Sequence, residues 1–246
     1  MACFVPGLVA ATLPGRAAPC PAAPGCARRA AGPPSAQPWG TRPCSASSFA
    51  FLSTTIGAAP KAAQAIEAWS REGKGGLHAV WASEVGLLNQ VLVLRSFEDE
   101  AALATERQRA LTSSSPFGCG EWLTGLSMDA YAPFPFIPPV PEAGALGPVY
   151  EVRSYILKTG GLEPTMAAWK EQLPERLKLS PLVVAMHAVD GPPRFTHIWA
   201  YKSMNDRLAI RGDAVARGIW PPKGGPTWLA EMRSTICLPT AVSPLK

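Results

Sequence analysis

The sequence predicts an α+β protein built from two tandem ferredoxin-like βαββαβ repeats that close on one another as an intramolecular α+β barrel. Three observations predict it. The same order of strand-like and helix-like stretches occurs twice, an Ala-Trp pair recurs 100 residues apart (Ala68-Trp69 and Ala168-Trp169), and a Pro-rich connector separates the two occurrences. A βαββαβ unit is an antiparallel sheet with both helices on one face, so the other face needs cover. A second copy in the same chain supplies that cover; two separate domains on a flexible tether are the alternative arrangement.

In the first half, SFAFLSTT (48–55) reads as a strand and residues 58–71 as a helix ending near Trp69. LHAVWASEV (77–85) and QVLVLRSF (90–97) are rich in β-branched and aromatic residues and form the next two strands. A helix over 98–112 begins with Glu98, Asp99 and Glu100, acids that suit its positive end, and LSMDAYA (126–132) is the fourth strand. The connector from Pro133 to Pro141 is stiff and extended.

The second half repeats the order. VYEVRSYILK (149–158) alternates as a strand does, and a helix over 162–177 follows. LVVAMHAV (182–189) and RFTHIWAY (194–201) are strands joined through Asp190, Gly191, Pro192 and Pro193, turn formers that suit a hairpin. Ser203 with Asp206 resembles a capping box opening a helix to about Arg217. Trp220 to Pro226 is a connector or an exposed loop for partners, a short helix is expected at 227–232, and STICLPT (234–240) is the last strand.

Residues 1–47 form the first segment, 48–140 the first repeat and 147–246 the second. The leader holds Arg16, Arg28, Arg29 and Arg42, and the first acid of the chain is Glu67. An acid-free, Arg-bearing, Ala- and Ser-rich leader matches a mitochondrial transit peptide, with the matrix as destination and cleavage around 44–48. Its nine prolines restrict any amphipathic helix to about 4–13; a secretory signal and an untargeted tail are the rival readings.

Removing the leader's four arginines leaves 19 basic against 18 acidic residues, so the chain's charge of +5 belongs largely to the leader. That excludes a Lys/Arg stripe of the kind that neutralises a row of phosphates, and no nucleic-acid partner is expected. No run approaches the roughly 18 uninterrupted apolar residues of a spanning helix, so no transmembrane segment is expected. Cys119 and Cys237 are the cysteines beyond the leader, with no CxxC spacing, and read as small buried hydrophobes.

VYEVRSYILKTGGLEPTMAAW (149–169), HIWAYKSMNDRLAIR (197–211) and TAVSPLK (240–246) resemble the signatures of the NIPSNAP family of the dimeric α+β barrel superfamily. The resemblance is strong over 149–246 and weak over 48–132. It implies the same two-copy barrel, a mitochondrial address, and roles in mitochondrial quality control and vesicle traffic without an established reaction. The family's helix after the HIW strand carries Arg at two successive turns, met here by Arg207 and Arg211. In the first copy Gln90 stands near the place of His197, while Phe51, Ser53 and Thr55 line up with Glu151, Arg153 and Tyr155.

Alternation puts Glu151, Arg153, Tyr155 and Leu157 on one face of their strand, and Phe195, His197, Trp199 and Tyr201 on one face of theirs. The charged set is expected to avoid the helices, so Glu151, Arg153, Tyr155, His197, Trp199 and Tyr201 are candidates to line a pocket in the barrel interior. A mutually satisfied Glu151–Arg153 pair inside an apolar core is the plainer reading. A four-residue hairpin connection sets His187 opposite Thr196 and sends His197 through the sheet, so the two do not form a metal pair; no metal or other cofactor is expected. No GxSxG elbow occurs, and Gly118-Cys119-Gly120 reads as a turn.

The expected function is that of a non-enzymatic mitochondrial interaction or scaffold protein with protein partners. A homo-oligomer through exposed sheet edges is one form such a scaffold takes. The alternative is a cofactor-independent enzyme or small-ligand binder with His197 as base and Arg153 as anion anchor.

Overall fold

The computed structural model describes residues 46–141 and 143–246. The expected transit peptide therefore lies outside the described residues apart from Ala46 and Ser47, which already belong to the first strand.

The first half comprises β1 (Ala46–Thr54), α1 (Ala59–Glu72), β2 (Gly76–Val85), β3 (Gln90–Phe97), α2 (Glu100–Thr112) and β4 (Leu123–Pro133). The second comprises β5 (Val149–Leu157), α3 (Leu162–Leu177), β6 (Leu182–Ala188), β7 (Arg194–Tyr201), α4 (Met204–Ala216) and β8 (Leu229–Pro239). Each half has the antiparallel order fourth, first, third, second, and the seams β2–β8 and β4–β6 close all eight strands into one barrel. Closure pairs part of each sheet edge, through three residue pairs at β4–β6 and four at β2–β8.

Local chemistry sets the helix starts. Asp99 accepts a hydrogen bond from the Ala102 backbone N–H at 2.7 Å and opens α2. Ser203 Oγ accepts from the Asp206 N–H at 3.0 Å, which is the Ser203 half of the expected capping box at α4, while the Asp206 carboxylate accepts from the Lys202 N–H at 3.1 Å, one residue before the cap. The short helix expected at 227–232 does not form: Gly225–Trp228 is a single 3-10 turn, and β8 starts at once from Leu229.

Strand alternation sorts the core into two layers. Inside the barrel lie Phe49, Trp81, Leu92, Leu94, Tyr131, Tyr150, Val152, Met186, Ile198 and Cys237. Trp81 of one half stacks on Tyr150 of the other at 4.4 Å, so the two halves share a single lumen core. Outside, α1 buries Ala62, Ala63 and Ile66 against β2 and β3, and α3 buries Trp169 and Leu173 against β5 and β7.

One end of the barrel is covered by two irregular segments. The connector, expected to be stiff and extended, is packed onto the barrel: Phe134 is buried against Phe195 and Trp169, and Ile137 and Val140 reach the lumen core. The C-terminal residues lie beside it, with Leu245 fully buried and its N–H donating to the His78 carbonyl at 3.1 Å. Gly147, where the chain leaves the connector, has φ +152 and passes so close to Tyr201 that a Cβ would sit 2.4 Å from its carbonyl oxygen. Glycine is required there.

The β6–β7 hairpin differs from the expected register by one residue. His187 pairs with Phe195 and Ala185 with His197, because β6 ends at Ala188 and the connection to Arg194 has five residues instead of the expected four. His187 and His197 therefore share a sheet face, contrary to the sequence reading. Phe195 occupies the position across from His187, and His197 stands two residues further along β7.

Candidate functional site

Pairing of β5 with β7 sets Glu151 opposite Trp199, Arg153 opposite His197, and Tyr155 opposite Phe195. Sequence alternation grouped these residues correctly and assigned the group to the wrong side of the sheet. The interior takes Tyr150, Val152, Ile198 and Ala200. The charged and aromatic set lies outward, beneath α3 and α4. Trp169 of α3 meets the His197 ring at 4.8 Å, and Arg207 of α4 bonds Glu151 at 2.6 Å.

The reason is charge pairing. A buried carboxylate needs cationic partners, and α4 carries them. Arg207 and Arg211, four residues apart on one helical face, point to the sheet, so the charged strand residues meet this helix instead of avoiding it.

Glu151 is the fully buried centre. Its Oε1 accepts from Arg153 Nη1 at 2.6 Å, Arg207 Nη2 at 2.6 Å and Ser234 Oγ at 2.8 Å, and Arg211 Nη1 stands 3.7 Å from Oε2. Burial pushes the carboxyl up, but the Arg207 hydrogen bond, the Arg153 charge and the Ser234 hydroxyl outweigh it and hold it at about 2. Arg153 also donates to the Tyr155 hydroxyl.

His197 is oriented by its neighbour. Trp199 Nε1, which can only donate, lies 2.7 Å from His197 Nδ1, so Nδ1 keeps its lone pair and the neutral ring carries its proton on Nε2. That Nε2 is buried without a partner, as is the Thr165 hydroxyl on α3. Burial, and after it the positive charge of Arg153, pushes the imidazole well below 6.5. Burial likewise raises the Tyr155 and Tyr201 phenols.

Arg176, near the end of α3, completes the cluster. It is 2% exposed, donates to Ser180 Oγ at 2.7 Å and Tyr201 at 3.3 Å, and lies 4.1 Å over the Trp199 ring. Above these groups opens a cavity of about 380 Å³ between the sheet, α3, α4 and the segment 220–229. Arg153, Arg176, Arg211 and His197 contribute its polar wall, and Trp169, Trp220 and Met232 belong to its apolar one. Trp220, read from sequence as a connector or partner loop, stands edge-on to Trp169 at 4.7 Å and closes this pocket.

Of the eight candidate residues, Arg153, Tyr155, His197 and Arg211 line the cavity. Glu151, Trp199, Tyr201 and Arg207 are the layer that fixes them. Sequence reasoning missed Arg176, Thr165, Trp169 and Trp220. The missed signal on α3 is the spacing Trp169, Leu173, Arg176, which sets the arginine on the buried stripe of the helix.

A second cavity, about 570 Å³, opens into the barrel lumen near Phe51, Tyr131, Ser154 and Arg194. Its charges are already matched: Arg194 is 3.0 Å from Asp129 and 3.5 Å from Asp190. Two of its hydroxyls, those of Tyr131 and Ser154, meet Thr196 Oγ1 at 3.0 and 2.7 Å.

In the first half the equivalent pocket is filled. The pairs Arg153–His197 and Ala50–Val93 occupy the same place in their ladders, so Ala50 and Val93, not Ser53 and Gln90, stand where the arginine and histidine do. Leu52, Val91, Phe117 and Cys119 complete an apolar layer there. Its ion cluster has the opposite polarity, with Arg95 on the strand and Glu106 on the helix at 3.2 Å, joined by Arg109 at 2.9 Å.

Burial raises the Cys119 thiol to about 11 and that of Cys237 to about 12, which leaves neither as a thiolate nucleophile. Among the described residues no group of three or more His, Cys, Asp and Glu is placed to hold a metal, and no helix is long and apolar enough to cross a membrane.

Comparison with known proteins agrees with this architecture. The NIPSNAP family model matches residues 53–115 and 150–244. A protein of Dictyostelium discoideum named Protein NipSnap homolog is 28% identical over 156 residues, covering 57% of this chain and 63% of the relative. The match thus spans under two thirds of that relative's length. Among solved structures, a Lactobacillus acidophilus protein described provisionally as a monooxygenase superposes with a TM-score of 0.57 at 12% identity, over 79% of this chain and 93% of its own. An anthrone oxidase-like protein superposes with a TM-score of 0.55 at 10% identity, over 80% and 91%. Both likenesses are of fold.

Proposed function

Because the chain belongs to the NIPSNAP family, we propose that it is a non-enzymatic mitochondrial binding protein whose α3–α4 pocket receives a small molecule. The observation that carries this reading is the fixed protonation of the pocket. General acid–base catalysis works best with a group that titrates near the working pH. Here Glu151 is held at about 2, His197 is pushed well below 6.5, and the Tyr155 and Tyr201 phenols are raised above 10. His197, the candidate base, has its lone pair engaged by Trp199 and turns a proton-bearing nitrogen to the other side. The same groups suit binding, because their donors keep one charge state across the physiological range.

The mitochondrial part rests on the acid-free basic leader and on the family. Interaction roles in quality control and vesicle traffic fit a protein whose occupancy is read by partners better than one that turns over a substrate. Two measurements test the proposal. Residues 1–47 fused to green fluorescent protein direct it to mitochondria; cytosolic fluorescence sinks the localisation. Incubation of the purified protein with matrix metabolites gives melting shifts without product, and turnover abolished by His197→Gln sinks the non-enzymatic reading.

A further inference from the structure

Arg153, Arg207 and Arg211 all converge on one carboxylate, Glu151, at 2.6, 2.6 and 3.7 Å. Arg176 has no carboxylate within ion-pair distance among the described residues; its partners are two hydroxyls and an indole face. Four guanidiniums against one carboxylate leave the cluster cationic. Gathering like charges in a partly desolvated site is costly unless an anion completes it. The excess points at the cavity: Arg153, Arg176 and Arg211 are in its wall, whereas Glu151 lies behind them. The lumen cavity, with Arg194 matched by Asp129 and Asp190, has no such excess.

We infer that the α3–α4 pocket is a receptor for a small organic monocarboxylate with an aromatic or branched aliphatic body. Its carboxylate meets the guanidinium forks of Arg153 and Arg211, whose planar donors match two carboxylate oxygens. His197 Nε2 and Thr165 Oγ1, both in the cavity's lining residues and both buried without partners, supply neutral donors alongside. The hydrocarbon body lies against Trp169, Trp220, Pro222 and Met232. The guanidiniums alone would also suit phosphate; it is the apolar walls that favour an anion with a hydrocarbon body, and a volume of about 380 Å³ selects a small ligand. The neutral His197 adds no competing charge, and its lowered basicity is itself partly an effect of the surrounding arginines.

This inference rests on the binding-protein reading above. The test uses the full chain and calorimetric titration with 4-phenylbutanoate, indole-3-acetate and 4-methylpentanoate, each beside its uncharged amide, and with inorganic phosphate. At least one carboxylate is expected to bind about tenfold or more tighter than its amide and to raise the melting temperature, while phosphate neither binds nor competes. Arg211→Gln, on an arginine 36% exposed and loosely paired, weakens that binding about tenfold, and Arg211→Lys restores most of it. Both variants keep a single cooperative unliganded melting transition, so a weakened binding is not a loss of fold. Equal binding of acid and amide overturns the anion inference and leaves the pocket as a small-molecule site. Phosphate bound as tightly as the carboxylates overturns the ligand class. Binding of none of the probes at millimolar concentration overturns the inference, while the metabolite panel still decides the broader reading.

Discussion

Glu151 couples the stability of the second half to pH. Its carboxyl, held at about 2 against an ordinary 4.5, is charged in the fold under conditions where the unfolded chain takes up a proton. A depressed folded value stabilises fully above the unfolded value and is lost as pH falls through the folded one, so this contribution, roughly 3 kcal/mol, disappears between about pH 4.5 and 2. Glu151→Gln strands three arginines at once and is expected to cost about 3–5 kcal/mol at pH 7. The gap between variant and parent should narrow below about pH 4.5 and close only about one pH unit below the carboxyl's value of about 2, where the parent is also protonated; urea unfolding across that range measures it. His197 acts at higher pH. It stays neutral in the fold while the unfolded ring protonates below about 6.5, so stability falls with acidification at up to about 1.4 kcal/mol per pH unit. Nitrogen-resolved NMR at pH 5 is expected to show a neutral His197 ring protonated at Nε2; an imidazolium signal there refutes both the tautomer and the slope.

The helices of the second half are held in unlike ways, and this decides what the sequence could reveal about them. α3 inserts Trp169 and Leu173, an apolar anchorage legible as periodicity; α4 buries only Ala214 fully and docks through Arg207 and Arg211 on Glu151. Strand and helix bounds followed from composition and turn residues, and 162–177 and 194–201 match α3 and β7 to the residue. Which residues of one strand share a face also followed, because the strand period is fixed at two, whereas the register between β6 and β7, and with it the relation of His187 to His197, did not. Which face is inside did not follow. That depends on a partner 56 positions away in sequence, Arg207 for Glu151, and no local pattern encodes it. Arg176 was hidden for a related reason: an arginine late in a helix ordinarily serves its negative end in solvent. Electrostatic docking has a measurable consequence. In Glu151→Gln, amide hydrogen exchange in α4 should rise well above the parent while α3 stays protected; equal loosening of both helices means that α4 has another anchor. Ser203→Ala, which deletes the α4 cap, should cost about 1 kcal/mol and add to the same effect.

At the scale of the molecule, two repeats with separate outer cores have been made into one folding unit by what they share. The seams are short, three pairs from Tyr131–Ala188 to Pro133–Met186 at β4–β6 and four at β2–β8 with a bulge, so ladder hydrogen bonds alone join the halves weakly. The lumen core and the C-terminal residues add the rest. Leu245 belongs to the second half by sequence, yet it is buried among lumen residues and tied to first-half strand β2: its N–H donates to His78, its carbonyl accepts from Trp81 Nε1 at 3.4 Å, and Ser243 Oγ accepts from the Val80 N–H at 3.1 Å. Leu245→Ala leaves a cavity against Trp81 and should destabilise by about 2–5 kcal/mol. The sharper expectation concerns which half feels it. If the lumen couples the repeats, unfolding followed at Trp81 in the first half and at Trp169 in the second gives coincident curves in the parent, and both shift together in the variant. Reporters are fluorine-labelled tryptophans in the otherwise unchanged chain, with the Trp81 and Trp169 signals followed separately by fluorine NMR. Separate transitions, with Leu245→Ala moving only the first-half curve, would mean that the two repeats are neighbours joined at their seams and not a single cooperative barrel.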